Sequence, residues 1–551
     1  MNFENGYAIG IDTGGTYTDT VIVKCADSSV VATAKSPTTH HNLSLGLAAS
    51  LDKALAESGI EPGEVNLVSV STTLATNAVV ENKGAKVGLF IIGSGKVVRL
   101  PVVTVRYITG GHKVTGDEYD PLDIESLVDG ITDMKGHVDS YAVCSAMSIK
   151  NPAHEAIAEK AISMTDPKPV FCSHRISTKA GQKERAATTV LNARLMPVMK
   201  EFLEGVGKAL DERNLGKLVV VIRGNATSMS MEKAVERAAD TFASGPASTA
   251  YYGCVYSPAK DALIVDVGGT TTDVTLIRNS KPTIQDSGSI IGDWETHVEA
   301  VEMFTVGVGG DSFSRITRSG NLEVGPGRVV PLCMAGDIPL PDKWLGKGND
   351  ARLIKIGPAV VENPDDQILV YLAENGPSTF GQIMKGLDMV EMTLGTKLEK
   401  LVRVQAVDEV GFTPTDALHV LNKIDIGNRE MSVSGAAALG TEFDLNGDEF
   451  AEKVLDVTRL KIENAMLEHI VRKEIGGNMA GIVAGRSASP LVRFDVSLNL
   501  PIVGIGAAAD CLLSEVAEKL HTEAVYPEHH EVGNALGAVR MALDNMNKGS
   551  E

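Results

Sequence analysis

Residues 8–24 read AIGIDTGGTYTDTVIVK, and residues 262–278 read ALIVDVGGTTTDVTLIR. Seven of the seventeen positions are identical, including every Asp and Gly of the shared pattern DxGGTxTD. In each copy a short apolar run ends in an Asp, turns through Gly-Gly-Thr and resumes after Thr-Asp as a second apolar run. The pattern predicts two β-hairpins with glycine tips, and its repetition predicts a duplicated architecture.

The tips of the two hairpins have the composition of a phosphate-binding site. Glycine lets backbone N–H groups approach an anion closely, and threonine adds hydroxyl donors. Carboxylates do not favour phosphate directly, so we expect Asp12 and Asp266 to hold a Mg²⁺ ion that bridges phosphate oxygens. Two facing hairpins would then hold one triphosphate through Thr13, Gly14, Gly15, Thr16, Gly268, Gly269, Thr270 and Thr271.

An ordinary turn is the competing interpretation of a single DxGG segment. Turn chemistry asks for Gly or Asn at the tip, but it does not require the same flanking Asp and paired Thr in two places 254 residues apart. The second acidic residues of the pattern, Asp19 and Asp273, are catalytic candidates of lower rank. Carboxylates that stabilise the turn by bonding hairpin N–H groups explain them at least as well.

Composition limits the partners of the chain. A length of 551 residues predicts at least two large lobes, and 51 basic against 71 acidic residues disfavour nucleic acid. The six cysteines lie far apart, which predicts neither a zinc ribbon nor a disulfide framework nor a shared iron–sulfur site. With no signal-like start and no run of eighteen apolar residues, we expect a cytoplasmic protein without a membrane partner.

Three further segments, in order, make the chain resemble the superfamily of actin, sugar kinases and heat-shock-chaperone ATPases. Residues 244–253 (SGPASTAYYG) and 531–539 (EVGNALGAV) are similar to its two connecting helices, and residues 500–509 (LPIVGIGAAA) to its adenosine loop. The resemblance implies an α/β fold, namely a two-lobed actin-like ATPase fold built from duplicated ribonuclease-H-like domains. It also implies ATP as the ligand, bordered at the nucleoside by Gly504, Gly506 and Ala507.

Within that superfamily the chain resembles the hydantoinase A and 5-oxoprolinase family over most of its length. The family patterns TTxATNAxxExxG, NPxHE, ERxxTTVLNA, SGPA and GAGGGS are echoed by residues 71–84, 151–155, 184–193, 244–247 and 307–312. Two departures concern the substrate rather than ATP. Gly93-Ser-Gly-Lys96 stands where the family has Gly-Phe-Arg-Asp, and Gly325-Pro-Gly-Arg328 replaces its PGPxCYG.

The resemblance implies a reaction and its alternatives. The leading expectation is an ATP-dependent hydrolase subunit that opens a hydantoin, 5-oxoproline or related lactam by phosphorylating its carbonyl oxygen. A second subunit of hydantoinase B type and a homo-oligomer are compatible partners. Two alternatives stay open: a non-catalytic actin-like ATPase that acts as a reactivator or switch, and a small-molecule kinase.

Substrate-side candidates come from the best-matched segment and from histidines. Thr72, Thr73, Thr76 and Asn77 are predicted to face the substrate, although Thr-Asn runs also cap helices. Candidates for substrate polarisation or metal binding are His112, His174 and His297, while Arg185 is a candidate to steady a phosphate. An isolated histidine is more often structural, and His112 is the one we assign to the substrate.

Residues 351–410 look like an insertion. Their apolar spacing predicts three short helices followed by a strand pair, as in a winged helix. Residues 365–410 carry eight acidic and four basic side chains, which favours a packing or partner-docking module over DNA binding. The predicted domains are a first lobe (1–250), a second lobe (251–350 and 411–530), the winged-helix-like insertion (351–410) and a C-terminal connecting helix that returns to the first lobe (531–551).

Overall fold

A computed structural model describes residues 6–39, 43–80, 84–93, 99–215, 218–291, 294–359, 366–475 and 496–549. Within these ranges, no helix combines the length and the apolar character that a membrane crossing requires. Residues 81–83 of the 71–84 segment and residues 94–96 of Gly93-Ser-Gly-Lys96 lie outside the described residues.

The strands of the first lobe form two sheets. A six-stranded sheet has the order β10-β9-β4-β1-β2-β3, and a parallel four-stranded sheet has the order β6-β5-β7-β8. The strands are β1 (Tyr7–Thr13), β2 (Tyr17–Lys24), β3 (Val30–Pro37), β4 (Val65–Thr72), β5 (Val87–Ile92), β6 (Thr104–Ile108), β7 (Ser140–Ser145), β8 (Val170–Cys172), β9 (Val219–Ile222) and β10 (Ser228–Ser230).

Helices cover these sheets and complete the core of the first lobe. Leu47 and Leu51 of the first helix are fully buried, together with apolar residues of the long sixth helix. The helices are α1 (Leu43–Ser58), α2 (Leu74–Val80), α3 (Ile124–Met134), α4 (Ala153–Thr165), α5 (Ser173–Ile176), α6 (Gln182–Asp211), α7 (Met231–Glu236) and α8 (Ser244–Tyr256).

The second lobe repeats the hairpin-centred sheet. Its main sheet has the order β13-β12-β11-β23-β24, with β16 also pairing with β12. The strands are β11 (Ala262–Val267), β12 (Thr272–Arg278), β13 (Lys281–Pro282), β14 (Ile290–Ile291), β15 (Trp294–Glu295), β16 (Met303–Val306), β17 (Ser312–Ile316), β18 (Leu322–Arg328), β19 (Val330–Pro331), β20 (Leu353–Ile356), β21 (Ser378–Thr379), β22 (Val407–Gly411), β23 (Ile502–Ile505) and β24 (Ala524–Val525).

A large apolar core fills the second lobe, with Phe412 and Phe450 packed edge to face at its centre. The helices are α9 (Gln367–Asn375), α10 (Phe380–Gly386), α11 (Glu391–Arg403), α12 (Pro414–Val420), α13 (Arg429–Gly440), α14 (Gly447–Glu474), α15 (Ala509–Lys519) and α16 (Gly533–Gly549).

The topology of the two hairpins is duplicated. In each lobe the first hairpin strand runs antiparallel to the second and parallel to a later strand, β4 for β1 and β23 for β11. The register is also the same, because Asp12 lies opposite Asp19 and Asp266 lies opposite Asp273. The sequence repeat therefore marks a repeat of local structure.

The segment predicted as a winged helix contains the three expected helices, α9, α10 and α11, around a small core of their own. The predicted strand pair after them is wrong. Only β22 follows directly, and it pairs with β20, which precedes the helices, and with β19 of the second lobe. This sheet joins both ends of the segment to the second lobe. The sequence analysis missed this pairing because β20 lies before the three helices. The 351–410 boundary stays a prediction.

Two helices, α8 and α16, cross between the lobes. A Cβ on Gly537 of α16 would press against the carbonyl oxygen of Ser248 in α8, and one on Gly10 of β1 would press against the carbonyl oxygen of Ala535. Glycine is required at both positions because backbone meets backbone. A shared apolar core joins residues of β1, β11, β23 and α16, so the lobes meet through these helices.

Candidate nucleotide and substrate site

The tips of the two hairpins border one cavity of about 640 Å³. Both strand-end carboxylates, Asp12 and Asp266, face this space. Of the residues predicted from the sequence, the cavity is also lined by Gly14, Gly15, Thr16, Asp19, Thr73, Asn77, Gly268, Gly269, Thr270, Thr271, Asp273, Gly506 and Ala507. The repeat thus brings its two copies to a single site.

Asn534 of α16 connects the two carboxylates. Its amide nitrogen lies 3.5 Å from Asp12 Oδ2, and its Oδ1 lies 2.5 Å from the hydroxyl of Thr249. That hydroxyl lies 3.1 Å from Asp266 Oδ2, while Ser71 donates a 2.5 Å hydrogen bond to Asp12 Oδ1. Residues of both connecting helices therefore hold the acidic pair in place.

Among the described residues no cation forms an ion pair with either carboxylate, although the charge of Lys35 lowers the pKa of both. Burial raises the pKa of Asp12, and the nearby Asp266 raises it further, whereas the Ser71 hydrogen bond lowers it. Burial likewise raises the pKa of Asp266. Two buried carboxylates of this kind fit a hard divalent cation, because its charge would offset their desolvation and mutual repulsion.

The second acidic residues of the repeat also face the cavity. Asp19 forms a 3.2 Å ion pair with Lys35, and burial raises its pKa to about 7 although Lys35 opposes the shift. Asp273 accepts a 2.6 Å hydrogen bond from Thr305, and burial raises its pKa to about 7. These partners lie on neighbouring strands, so the contacts differ from those of a carboxylate that stabilises its own turn.

We predict that Asp19 makes stability depend on pH. Between the ordinary pKa of 3.8 and the folded pKa of about 7, the Asp19 carboxyl is ionised in the unfolded chain but protonated in the folded protein. Stability therefore falls as pH rises through this window, by up to about 4 kcal/mol, and Asp19→Asn should flatten the fall. Melting temperatures from pH 4 to 8 measure it.

The exposed Asp27 supplies the control for this pH series, because its pKa is lowered by hydrogen bonds from Ser29 and it titrates below the window. Asp27→Asn should leave the slope of melting temperature against pH as in the wild type. An equal slope in the wild type and in Asp19→Asn would contradict the assignment of the slope to Asp19.

Beside the second hairpin, Gly506 and Ala507 follow strand β23. Gly506 has a φ of +99°, and a Cβ there would press against the carbonyl oxygen of Val267. Gly504, predicted beside the nucleoside, lies instead within β23, where a Cβ would lie 2.5 Å from the ring of Tyr526. An apolar wall that the sequence did not predict comprises Pro331, Met334, Leu418, Ile424 and Ile426.

Among the predicted substrate residues, Thr73 and Asn77 line the cavity and bond to each other at 3.2 Å. Thr72 is buried, and its hydroxyl accepts a hydrogen bond from the backbone N–H of Leu74 at the start of α2. The Thr76 hydroxyl accepts from the N–H of Ala243. Thr72 and Thr76 therefore make structural contacts and do not belong to the cavity lining.

The buried Thr13 also lies outside the lining. Its carbonyl oxygen accepts the N–H of Thr73, and among the described residues its hydroxyl has no hydrogen-bond partner. His112 lies in the loop after β6, with its ring 4.3 Å from that of His154, and is likewise outside the cavity lining. The structure therefore does not bring His112 to the predicted substrate residues.

The other histidine and arginine candidates take part in polar networks away from the cavity. His174 Nδ1 lies 2.5 Å from Glu155, whose carboxylate also accepts the hydroxyl of Ser173. Arg185 is fully buried and donates to that hydroxyl and to a backbone carbonyl. His297 Nδ1 lies 2.7 Å from the hydroxyl of Ser177. None of the three candidates belongs to the described cavity lining.

Four further side chains of the site were missed by the sequence analysis. Lys35 and Asn534 contact the acidic residues of the repeat, Lys35 from the strand that follows the first hairpin and Asn534 from the distant last helix. Asp311 and Arg328 line the cavity as a pair, with Arg328 Nε 3.4 Å from Asp311 Oδ2. A signal for Arg328 was present, since its segment departs from the family pattern, whereas residues 307–312 were interpreted as an echo of that pattern.

The fold and the site define a two-lobed protein of the actin-like ATPase fold class. One family model, described as the hydantoinase/oxoprolinase N-terminal region, matches residues 8–165, and a second, hydantoinase/oxoprolinase, matches residues 185–543. The chain therefore belongs to the hydantoinase/oxoprolinase family. The predicted family and the predicted two-lobed fold are confirmed.

Known proteins agree with this assignment. The caprolactamase subunit alpha of Pseudomonas jessenii is 28% identical over 354 residues, covering 58% of this chain and 50% of that protein. The acetophenone carboxylase gamma subunit of Aromatoleum aromaticum is 28% identical over 364 residues, covering 58% and 49%. The chain thus spans about half the length of these relatives, one of which is named as a caprolactamase subunit and the other as a carboxylase subunit.

A solved structure supports the fold. The nucleotide-free structure of acetone carboxylase, from a study of ATP-dependent acetone carboxylation, superposes with a TM-score of 0.68 at 19% identity. The match covers 97% of this chain and 70% of that chain.

Proposed function

We propose that the chain binds MgATP between the two hairpins and transfers the γ-phosphoryl group to the carbonyl oxygen of a cyclic amide. Hydantoins, 5-oxoproline and related lactams are the substrate class. The observation that carries this proposal is the meeting of Asp12 and Asp266 in one cavity bordered by both glycine tips. Family membership and a relative named caprolactamase support the amide as acceptor.

Asp12 and Asp266 would hold the magnesium ion, as their burial and mutual repulsion fit a divalent cation. The ion would supply positive charge against the phosphate oxygens. The backbone N–H groups of Gly14, Gly15, Gly268 and Gly269 would contact those oxygens, because no side chain holds the ligand away from them. Gly506 and Ala507 would border the nucleoside.

Phosphorylation solves the chemical difficulty of an amide substrate. Resonance makes the amide carbon a poor electrophile, and placing a phosphate on the oxygen makes that carbon far easier for water to attack. The chain contributes chiefly by positioning the carbonyl oxygen against the γ-phosphate and by excluding water from the cleft. Thr73 and Asn77 line the part of the cavity beside Gly15, where an acceptor would meet the phosphate.

A partner subunit of hydantoinase B type would complete ring opening in this proposal. Two relatives are named as subunits, and the chain spans about half of each. This chain would then serve only amide activation. Measuring hydrolysis with and without a candidate partner chain separates the two steps.

The test is an ADP-release assay with MgATP and a panel of 5-oxoproline, caprolactam and hydantoin. The proposal expects ADP release that depends on one of these amides, accompanied by a phosphorylated or ring-opened amide. A kinase would instead accumulate a stable phosphorylated product of another class. A switch would bind ATP without any dependence on an amide, and this result would contradict the proposal.

A further inference from the structure

A carboxylate and a guanidinium face the cavity at a place where the family pattern has neither. Asp311 stands at the fifth position of Gly307-Val-Gly-Gly-Asp-Ser312, where GAGGGS has glycine. Arg328 belongs to the segment that replaces PGPxCYG. The two residues form an ion pair of 3.4 Å, so they make one feature of the cleft.

Asp311 lies against the tip of the second hairpin. Its backbone N–H donates a 2.7 Å hydrogen bond to the carbonyl oxygen of Gly269. The point that a Cβ on Gly269 would occupy is 2.8 Å from Asp311 Oδ2 and 2.9 Å from the hydroxyl of Thr16 on the first hairpin. The Asp311 carboxylate is therefore placed where the two tips face each other.

The Asp311–Arg328 pair also faces the first lobe, where its charges act on Tyr17 of β2. Burial raises the pKa of the Tyr17 phenol, the charge of Asp311 raises it further, and Arg328 opposes the shift. The carboxylate, the guanidinium and the phenol thus surround one part of the cavity beside the proposed phosphate site. The side chain of Asp311 is 12% exposed and that of Arg328 is 37% exposed, which leaves both within reach of a ligand.

The chemistry of a cyclic amide matches this pair. The ring forces the N–H and the C=O of a lactam onto the same edge, so a carboxylate can accept the N–H while a neighbouring guanidinium donates to oxygen. When the amide oxygen is phosphorylated, the N–H proton must leave to give a neutral imidate. A base beside the γ-phosphate is therefore useful for this acceptor.

We propose that Asp311 is the base that takes the amide N–H proton during phosphoryl transfer, with Arg328 positioned to orient the carbonyl oxygen. This inference rests on the proposed function. The amide oxygen forms a bond to the γ-phosphorus, and the bond from that phosphorus to the bridging oxygen breaks to release ADP. The N–H electron pair forms the C=N bond, and the proton passes to Asp311.

The other cavity carboxylates are less suited to this role. Asp12 and Asp266 would hold the metal, Asp19 is paired with Lys35 at 3.2 Å, and Asp273 accepts from Thr305 at 2.6 Å. Asp311 differs in its placement, because its carboxylate lies between the two hairpin tips, 2.8 Å from the point that a Cβ on Gly269 would occupy. Burial raises the pKa of Asp311 as it does for the other cavity carboxylates, so placement rather than basicity selects it.

The test compares wild type, Asp311→Asn and Asp311→Gly in amide-dependent ADP release. Loss of a general base lowers rates by about 10² to 10⁴, so we expect kcat/KM for a lactam to fall at least about 100-fold. ATP affinity, measured by titration with a fluorescent ATP analogue, should stay within about twofold of wild type. Asp311→Gly restores the family residue, which makes it a folding control. Asp311→Glu should recover part of the activity.

A substrate comparison separates a base from a structural residue. The imide N–H of hydantoin lies between two carbonyl groups and is far more acidic than a lactam N–H, so hydantoin needs less help from a base. Asp311→Asn should therefore reduce lactam turnover much more than hydantoin turnover. The matched control is Glu323→Gln, which breaks the exposed Arg315–Glu323 pair of the same β17–β18 hairpin and should change neither rate.

The outcomes distinguish this inference from the proposed function. If wild type shows no amide-dependent ADP release, the proposed function fails and the inference with it. If wild type is active and Asp311→Asn matches Glu323→Gln, the inference alone is overturned. Equal losses for lactam and hydantoin, or a matching loss of ATP affinity, would also overturn it, because they would show that Asp311 only shapes the site.

Discussion

Replacing Asp12 or Asp266 by asparagine is expected to lower amide-dependent ATP turnover on the order of 10³-fold, while the melting temperature stays unchanged or rises. Asparagine keeps the size of each side chain but removes the negative charge that would hold the metal. The loss should appear in kcat, because the metal ion that the carboxylates would hold would stabilise the transition state for phosphoryl transfer. Amide-dependent ADP release at saturating MgATP and thermal unfolding of the free protein are the two measurements.

We expect the stability of the free protein to stay the same or to rise in both variants, because burying two charged carboxylates costs free energy of folding. Burial raises the pKa of each, and Asp266 raises that of Asp12 further. An amide in either place removes this repulsion and still accepts the hydrogen bond from Ser71 or Thr249. A residue that is retained although its charge destabilises the free protein is typical of a functional site.

Asp240 is the matched control for this prediction. It is another buried carboxylate, but it forms 2.7 Å ion pairs with both Arg223 and Arg237. Asp240→Asn should lower the melting temperature, since it leaves two guanidinium groups without their counter-ion. If Asp12→Asn and Asp266→Asn also lowered the melting temperature while turnover persisted, the two carboxylates would be structural and the metal assignment wrong.

The hairpins could be predicted because every determinant is local. An apolar run, a terminal Asp, a double glycine and a second run specify a strand, a turn and a strand without reference to the rest of the chain. Repetition then predicted that both copies serve one ligand, and the structure brings Asp12 and Asp266 to one cavity. The connecting helices were inferred from the resemblance to the superfamily, and Gly537 is one of the small residues that allow their close crossing.

The rest of the site depends on contacts between distant segments. Lys35 meets Asp19 only because β3 pairs with β2, and Asn534 meets Asp12 only because the last helix returns to the first lobe. Gly504 and Gly506 show that a difference of two positions decides whether a glycine reaches the cavity. Both stand in one glycine-rich segment, but the chain leaves the strand after residue 505, so Gly506 reaches the cavity while Gly504 packs against Tyr526.

The substitution Gly537→Val is expected to lower the free energy of unfolding by about 3 kcal/mol and to weaken ATP binding at the same time. A side chain there would meet the carbonyl oxygen of Ser248, which belongs to backbone and cannot turn away. The two connecting helices would have to separate. Asn534 lies one turn before Gly537 on α16, so their separation would also disturb its contacts with Asp12 and Thr249.

Gly395 provides the control because it is also a glycine within a helix, in α11, but a Cβ added there would have no heavy atom within 4 Å. Gly395→Ala should therefore stabilise the protein by up to about 1 kcal/mol, since alanine favours the helix. Urea unfolding and titration with an ATP analogue would measure both variants. Wild-type stability in Gly537→Val would show that the helices tolerate a wider crossing. Lost stability with unchanged ATP affinity would show that the position of Asn534 does not depend on this contact.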